Sequence, residues 1–313
     1  MRKLSLVIML AGCGGDSGSD VPAPGVDAAA PPSPDAAAPP SPDAAAPPSP
    51  DAAAPLADAA QPPPADAAPP APAALRVLFI GNSYTFYNDL EQRYAEVRAQ
   101  DAAPREVVVA RYARPGYRLD QHLADVQADA SELQVLFSSR CGGDAPWTYV
   151  VLQEQSQIPG FPAPEPVRQA SVEAAGAWGE RIRGCGATPV LFETWGRLRG
   201  DEGNPELFPD YTTMQDRLDE GFAAMREAGA LTSAPVGAAF RWLSTRAGFD
   251  HASLYSGDGS HPSPAGSWLA ALVLASVTPA REAPAEPRGP EGLSPAVLAE
   301  LEAAAAAAIT PVP

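Results

Sequence analysis

Residues 75–83 read Leu75-Arg76-Val77-Leu78-Phe79-Ile80-Gly81-Asn82-Ser83. A short apolar run that stops at a glycine is the pattern of a strand buried on both faces. The pattern recurs downstream. Glu106–Tyr112, Thr148–Leu152 and Pro189–Glu193 read as further strands, and a weak fifth lies near Leu231–Val236. Between them run helical stripes. One has Asn88 or Asp89 as N-cap with Leu90, Tyr94 and Val97 on one face, and another carries Leu119, Leu123 and Val126. Longer ones cover Val167–Arg183 and Tyr211–Glu227, and a last core helix starts at Ser263-Pro264. Proline suits that first turn because its missing N–H needs no partner there. Strands alternating with helices predict a parallel sheet covered on both faces. Ligands of such sheets bind beyond the carboxyl ends of the strands. The loops after residues 80, 112, 152 and 193 are therefore the place to look.

Outside this region the composition changes. Residues 14–73 repeat the unit Asp-Ala-Ala-Ala-Pro-Pro-Ser-Pro from Asp27, Asp35 and Asp43. Proline removes backbone donors and favours polyproline II, so this segment builds no packed core. Fully extended it would reach about 180 Å, the length of a spacer. Before it, Arg2 and Lys3 precede a short apolar stretch, Leu4 to Leu10, as in an export signal. The resulting division is 1–13 signal, 14–73 linker, 74–278 folded domain, and 279–313 a loop followed by an Ala-rich helix. The formal net charge is −17. Such acidity repels phosphate backbones, which excludes nucleic acid as a partner and favours solubility.

Two loops carry chemistry. Gly81-Asn82-Ser83-Tyr84-Thr85 sets a serine just past a buried strand, where its own N–H can face a developing oxyanion. Near the other end, Asp258-Gly259-Ser260-His261-Pro262 supplies a histidine with an aspartate three residues before it. A serine hydroxyl needs a base to take its proton, and the aspartate can fix the tautomer of that base. The other two histidines, His122 and His251, read as solvated and exposed. Zinc-type Cys/His spacing and a Walker A loop are absent from the sequence, so no metal or cofactor is implied.

Gly81-Asn82-Ser83 early in the domain, with Asp-x-x-His late, resembles the SGNH (GDSL) hydrolase superfamily over about residues 75–278. The resemblance implies a flavodoxin-like three-layer α/β/α sandwich with a parallel sheet of about five strands. It implies esterase activity with Ser83 as nucleophile, His261 as base and Asp258 as its partner. The oxyanion hole would be formed by the N–H groups of Ser83 and Gly116, the latter from Arg114-Pro115-Gly116-Tyr117. The chain departs from the family pattern twice. Asn82 stands where the family has Asp, and the third block, usually Gly-x-Asn-Asp, reads Gln153-Glu154-Gln155-Ser156-Gln157. Gln153, at the strand end, is the candidate to supply the amide donor. Asn82, Tyr84, Gln155 and Trp195 are further candidates for touching substrate. Leu10-Ala11-Gly12-Cys13 resembles the lipobox of bacterial lipoproteins, which implies lipidation at Cys13 and a membrane-anchored, extracytoplasmic protein. Cys141 and Cys185 each sit in a Gly-flanked loop just before a predicted strand. If those strands are neighbours, the loops share an edge of the sheet and can be bridged by a disulfide, with two free thiols as the alternative reading. The expected substrate is an ester, with acetylated polysaccharide favoured by analogy. A non-catalytic glycan-binding module using Trp195, and a glycosidase using Glu154 and Glu193, are the competing readings.

Overall fold

The computed structural model describes residues 73–279, 284 and 286–310. The signal, Cys13 and almost all of the linker lie outside the described residues. In chain order the elements are β1 (Leu75–Gly81), α1 (Ser83–Phe86), α2 (Leu90–Arg98), β2 (Val107–Ala113), α3 (Leu119–Gln127), α4 (Glu132–Ser138), β3 (Tyr149–Leu152), α5 (Pro166–Gly184), β4 (Thr188–Phe192), α6 (Tyr211–Gly229), β5 (Thr232–Ala234), α7 (Val236–Ser244), α8 (Pro264–Val277) and α9 (Pro295–Ile309). Among the described residues all five strands pair in parallel, in the order β2-β1-β3-β4-β5. This is the flavodoxin-like arrangement. Its order reverses at β1, so a crevice opens beyond the end of that strand.

Two apolar cores lie on the two faces. Leu75, Val77 and Phe79 of β1, with Val190 and Phe192 of β4, pack under α2, α7, α8 and α9. Leu78 and Ile80 of β1, with Val150, Leu152 and Leu191, pack under α3, α4, α5 and α6. Successive side chains of a strand point to opposite faces, so burial on both sides demands an unbroken apolar run. Each fully buried side chain such as Phe79 contributes on the order of 2–3 kcal/mol by leaving water.

The structure adds detail the sequence did not supply. The expected fifth strand keeps only Thr232–Ala234, because Pro235 ends it and α7 begins at once. The C-terminal helix belongs to the first core: Leu298, Leu301, Ala304 and Ala305 are buried in it. Cys141 and Cys185 are joined as a disulfide, with Cα atoms 4.5 Å apart. They precede the neighbouring strands β3 and β4, at the end of the sheet opposite Ser83.

Candidate active site

Ser83 follows the last residue of β1 and is the first residue of α1. Its N–H has no acceptor within that helix and none elsewhere among the described residues. Gly81 is held so close beneath that a Cβ there would lie 2.3 Å from Thr85 Oγ1 and 2.7 Å from Gln153 Oε1. Only glycine fits.

His261 reaches Ser83 across 178 positions of sequence. Its Nε2 lies 2.8 Å from Ser83 Oγ, and its Nδ1 lies 2.5 Å from Asp258 Oδ2. The other oxygen of Asp258 accepts the N–H groups of Ser260, at 2.9 Å, and His261, at 3.0 Å. Partial burial pushes the Asp258 carboxyl up, but the His261 ring and those two N–H groups outweigh it and hold it below the usual carboxylate range. An ionised carboxylate only accepts, so Nδ1 carries the proton and Nε2 accepts from the Ser83 hydroxyl.

The loop of His261 is anchored on several sides. Tyr84 Oη and Ser260 Oγ are hydrogen-bonded at 2.8 Å, and Trp195 Nε1 donates to Ser260 O at 3.1 Å. Asn88 Nδ2 donates to Pro262 O at 3.0 Å and to Ser267 Oγ at 2.9 Å. Behind them Tyr84, Trp195 and Phe240 form a continuous stack, with ring centroids 4.8 and 4.2 Å apart. The ring of Tyr87 lies flat on the imidazole of His261, with centroids 4.2 Å apart and planes 13° apart.

Several expected contacts with substrate are corrected. Gln153 is fully buried and does not line the site. Its Oε1 accepts from Asn82 N–H and Thr85 Oγ1, each at 2.9 Å, and its Nε2 donates to Glu154 O. It therefore fastens the Ser83 loop from below, fully buried and with its amide nitrogen turned onto the Glu154 carbonyl. Asn82 is 2% exposed. Its Nδ2 donates to Tyr117 O at 2.9 Å and its Oδ1 accepts from Tyr84 N–H at 3.2 Å. It ties the loop after β1 to the loop after β2 rather than facing ligand. Tyr84 and Trp195 are buried in the stack, so neither presents a ring face to a sugar. Gln155 is half-buried, with its side chain turned onto Gln157. Gly116 sits at φ +67° in the turn after β2, and its N–H is unengaged among the described residues.

The two glutamates and two histidines outside the Ser83–His261–Asp258 line are engaged elsewhere in the fold. Glu154, fully buried, accepts from Leu119 N–H, Gln155 N–H and Ser171 Oγ, and burial lifts its carboxyl to about 7. Glu193 is occupied by Ser233 at 2.6 Å and Arg226 at 3.1 Å. Both carboxylates of the glycosidase reading are thus consumed as structural acceptors. His122 is buried rather than solvated. Its Nε2 is 2.8 Å from Gly81 O, and burial lowers it to about 4. His251 is packed among Tyr211, Phe240 and Tyr255 and is likewise lowered by burial to about 4.

A parallel sheet in flavodoxin-like order, with Ser, His and Asp in one hydrogen-bonded line at the end of its first strand, defines the serine-hydrolase type of α/β protein. No family model matches the sequence, and no curated protein matches it. Solved structures do. A candidate SGNH hydrolase from Slackia heliotrinireducens is 34% identical; the match covers 65% of this chain and 98% of that one, with TM-score 0.51. A DUF4886 family protein from Bacteroides uniformis is 18% identical, with 76% and 95% covered and TM-score 0.60. An acetylxylan esterase from Geobacillus stearothermophilus is 14% identical, with 66% and 95% covered and TM-score 0.48. The chain belongs to the SGNH hydrolases.

Proposed function

We propose that the protein is an extracytoplasmic serine esterase that removes small acyl groups, acetyl foremost, from carbohydrate or other small esters. One observation carries the reading: Ser83 Oγ lies 2.8 Å from His261 Nε2 while Nδ1 of the same ring lies 2.5 Å from Asp258. In this mechanism Ser83 Oγ attacks the ester carbonyl carbon as its proton passes to Nε2. The N–H groups of Ser83 and Gly116 receive the oxyanion. The imidazolium returns the proton to the departing alkoxide, leaving an acyl-enzyme. Water then attacks the acyl carbon, giving a proton to Nε2, which hands it to Ser83 Oγ as the carboxylic acid leaves. Asp258 holds the ring and balances its transient charge.

The surface location rests on the sequence features of residues 1–73. An acylated Cys13 would hold the domain to the cell envelope, and the proline-rich linker would let it reach polymers outside. Labelled palmitate entering the wild type but not Cys13→Ala tests the anchor.

The activity test is p-nitrophenyl acetate turnover by the wild type and Ser83→Ala. The variant is expected to lose about 10⁴–10⁶-fold in kcat, and a fluorophosphonate probe is expected to label the wild type at Ser83. Equal turnover by both proteins, without labelling, would remove the proposal.

A further inference from the structure

We infer that Tyr87 and Asn88 form a positioning device for the imidazole of His261, one against the ring face and the other on the backbone beside it. The inference rests on the serine-esterase reading and adds two residues that neither the triad nor the oxyanion hole contains.

The two ring nitrogens of His261 are fixed by Asp258 and Ser83. Those two bonds define a line, about which the ring can still roll. Tyr87 removes that freedom. It lies half-buried and nearly parallel to the imidazole, 4.2 Å away and 13° inclined, while the ring of Tyr84 stands edge-on at 5.5 Å and 63°. The same face contact keeps water off one side of the base. It also offers an aromatic π-face to the imidazolium that forms when Nε2 takes the serine proton.

The backbone that delivers this ring is strained. Asn88, at φ 55° and ψ 21°, and Asp89, at φ 53° and ψ 60°, are two consecutive non-glycine residues in the left-handed region. Such strain persists only where the surroundings over-determine it, and it gathers at functional sites. The determinants here are specific. The Asn88 side chain bonds to the carbonyl of Pro262, the residue after His261, and to Ser267 in α8. Asn88 O accepts from Arg93 Nε at 3.2 Å, and Asp89 pairs with Arg111 at 3.1 Å. One short segment, just past the nucleophile in sequence, thus holds the base by its face and by its neighbouring peptide.

The test compares the full-length wild type with Tyr87→Leu, Tyr87→Phe and Asn88→Gly. Turnover of p-nitrophenyl acetate gives kcat and KM, the rate of fluorophosphonate labelling reports Ser83, and thermal melts report folding. Tyr87→Leu is expected to lower kcat and the labelling rate by about 10- to 100-fold, the range for small misplacements of a catalytic group, with little change in KM. Tyr87→Phe keeps the stacked face and is expected to restore the rate to within about threefold of wild type on the same ground. Asn88→Gly relieves the left-handed backbone but deletes the tether, so kcat is expected to fall without a fall in melting temperature. It serves as the deciding variant should Tyr87→Leu fail to fold.

Wild-type kcat in Tyr87→Leu, equal losses in the Phe and Leu variants, or unchanged kcat in Asn88→Gly would each overturn the assignment. The ring-current displacement of the His261 Cε1 proton, lost only in Tyr87→Leu, reads the contact without any turnover. A wild type that neither hydrolyses nor labels would therefore sink the esterase reading, while a missing ring-current effect would sink this one.

Discussion

Asn82→Asp restores the residue common in the superfamily, and the structure argues that it will harm this protein. The Asn82 amide donates a hydrogen bond to Tyr117 O at 2.9 Å in a position 2% exposed. Aspartate puts an oxygen there. Ionised, it faces a carbonyl oxygen with no proton between them, and it is buried as well. A lost buried hydrogen bond that leaves its acceptor unsatisfied costs about 1–3 kcal/mol. That bond joins the nucleophile loop to the turn bearing Gly116, so its loss loosens the proposed oxyanion donor. The same energy, if felt in the transition state, is about 5- to 150-fold in kcat/KM. Protonated, the new carboxyl can donate to Tyr117 O and mimic the amide. The defect relative to wild type is therefore expected to be largest above about pH 8 and to shrink towards about pH 5, where a buried carboxyl regains its proton. Asn82→Leu, with no proton to recover, should show a gap that pH does not change. The assay is kcat/KM for p-nitrophenyl acetate across that range, with urea unfolding of each variant. An Asn82→Asp variant as active and as stable as wild type at the alkaline end would refute the tether.

Other expectations concern the base, a buried acid and the cross-link. Asp258→Asn is expected to lower kcat by about 10²–10⁴-fold, because an amide no longer selects the tautomer that frees Nε2; steady-state kinetics check it. Glu154 is raised to about 7 from an ordinary 4.5, so the folded state binds its proton more tightly than the unfolded state. That contribution is present at low pH and lost as pH rises through 7. Glu154→Gln should therefore gain about 2–3 kcal/mol relative to wild type between about pH 5 and pH 8 in urea unfolding. Cys141→Ser with Cys185→Ser frees a loop of 44 residues, and loop entropy sets the loss of stability at about 2–4 kcal/mol, read from the denaturation midpoint. With the site at the other end of the sheet, kcat should stay within about twofold at temperatures where the variant remains folded.

The sheet was legible because strands buried on both faces must be apolar throughout, and β1, β3 and β4 each announce themselves that way. Topology placed Ser83 at the carboxyl end of β1, but the His261 loop follows helix α7 rather than a strand. Its pairing with Ser83 was therefore legible only from the chemistry of the two residues and the resemblance to the SGNH pattern. What the sequence hid was orientation. At a strand's last residue a side chain can point into the crevice or back under the loop, and Gln153 takes the second course. Aromatic residues at strand ends serve core and rim equally well, so Trp195 and Tyr84 could not be assigned before their stack with Phe240 was seen. His122 is a different case. Leu119, His122 and Val126 share a helical face, so its burial was readable, and the polar neighbours Asp120, Gln121 and Asp125 obscured it. The role of Tyr87 left one trace, its membership of the aromatic run that follows Ser83. Helix α4, only seven residues long, was too brief to rise above the loops around it.

Helix α8 begins three residues after His261, is sunk in the first core along its length, and is overlaid by α9. The base therefore hangs from the last part of the chain to be wrapped. Peeling back that C-terminal wrap would part imidazole from hydroxyl while the five strands still stood intact. Under gentle heating or a trace of protease, turnover should vanish before the far-ultraviolet dichroism of the sheet and remaining helices changes much, making enzymatic rate the more sensitive gauge of an undamaged molecule.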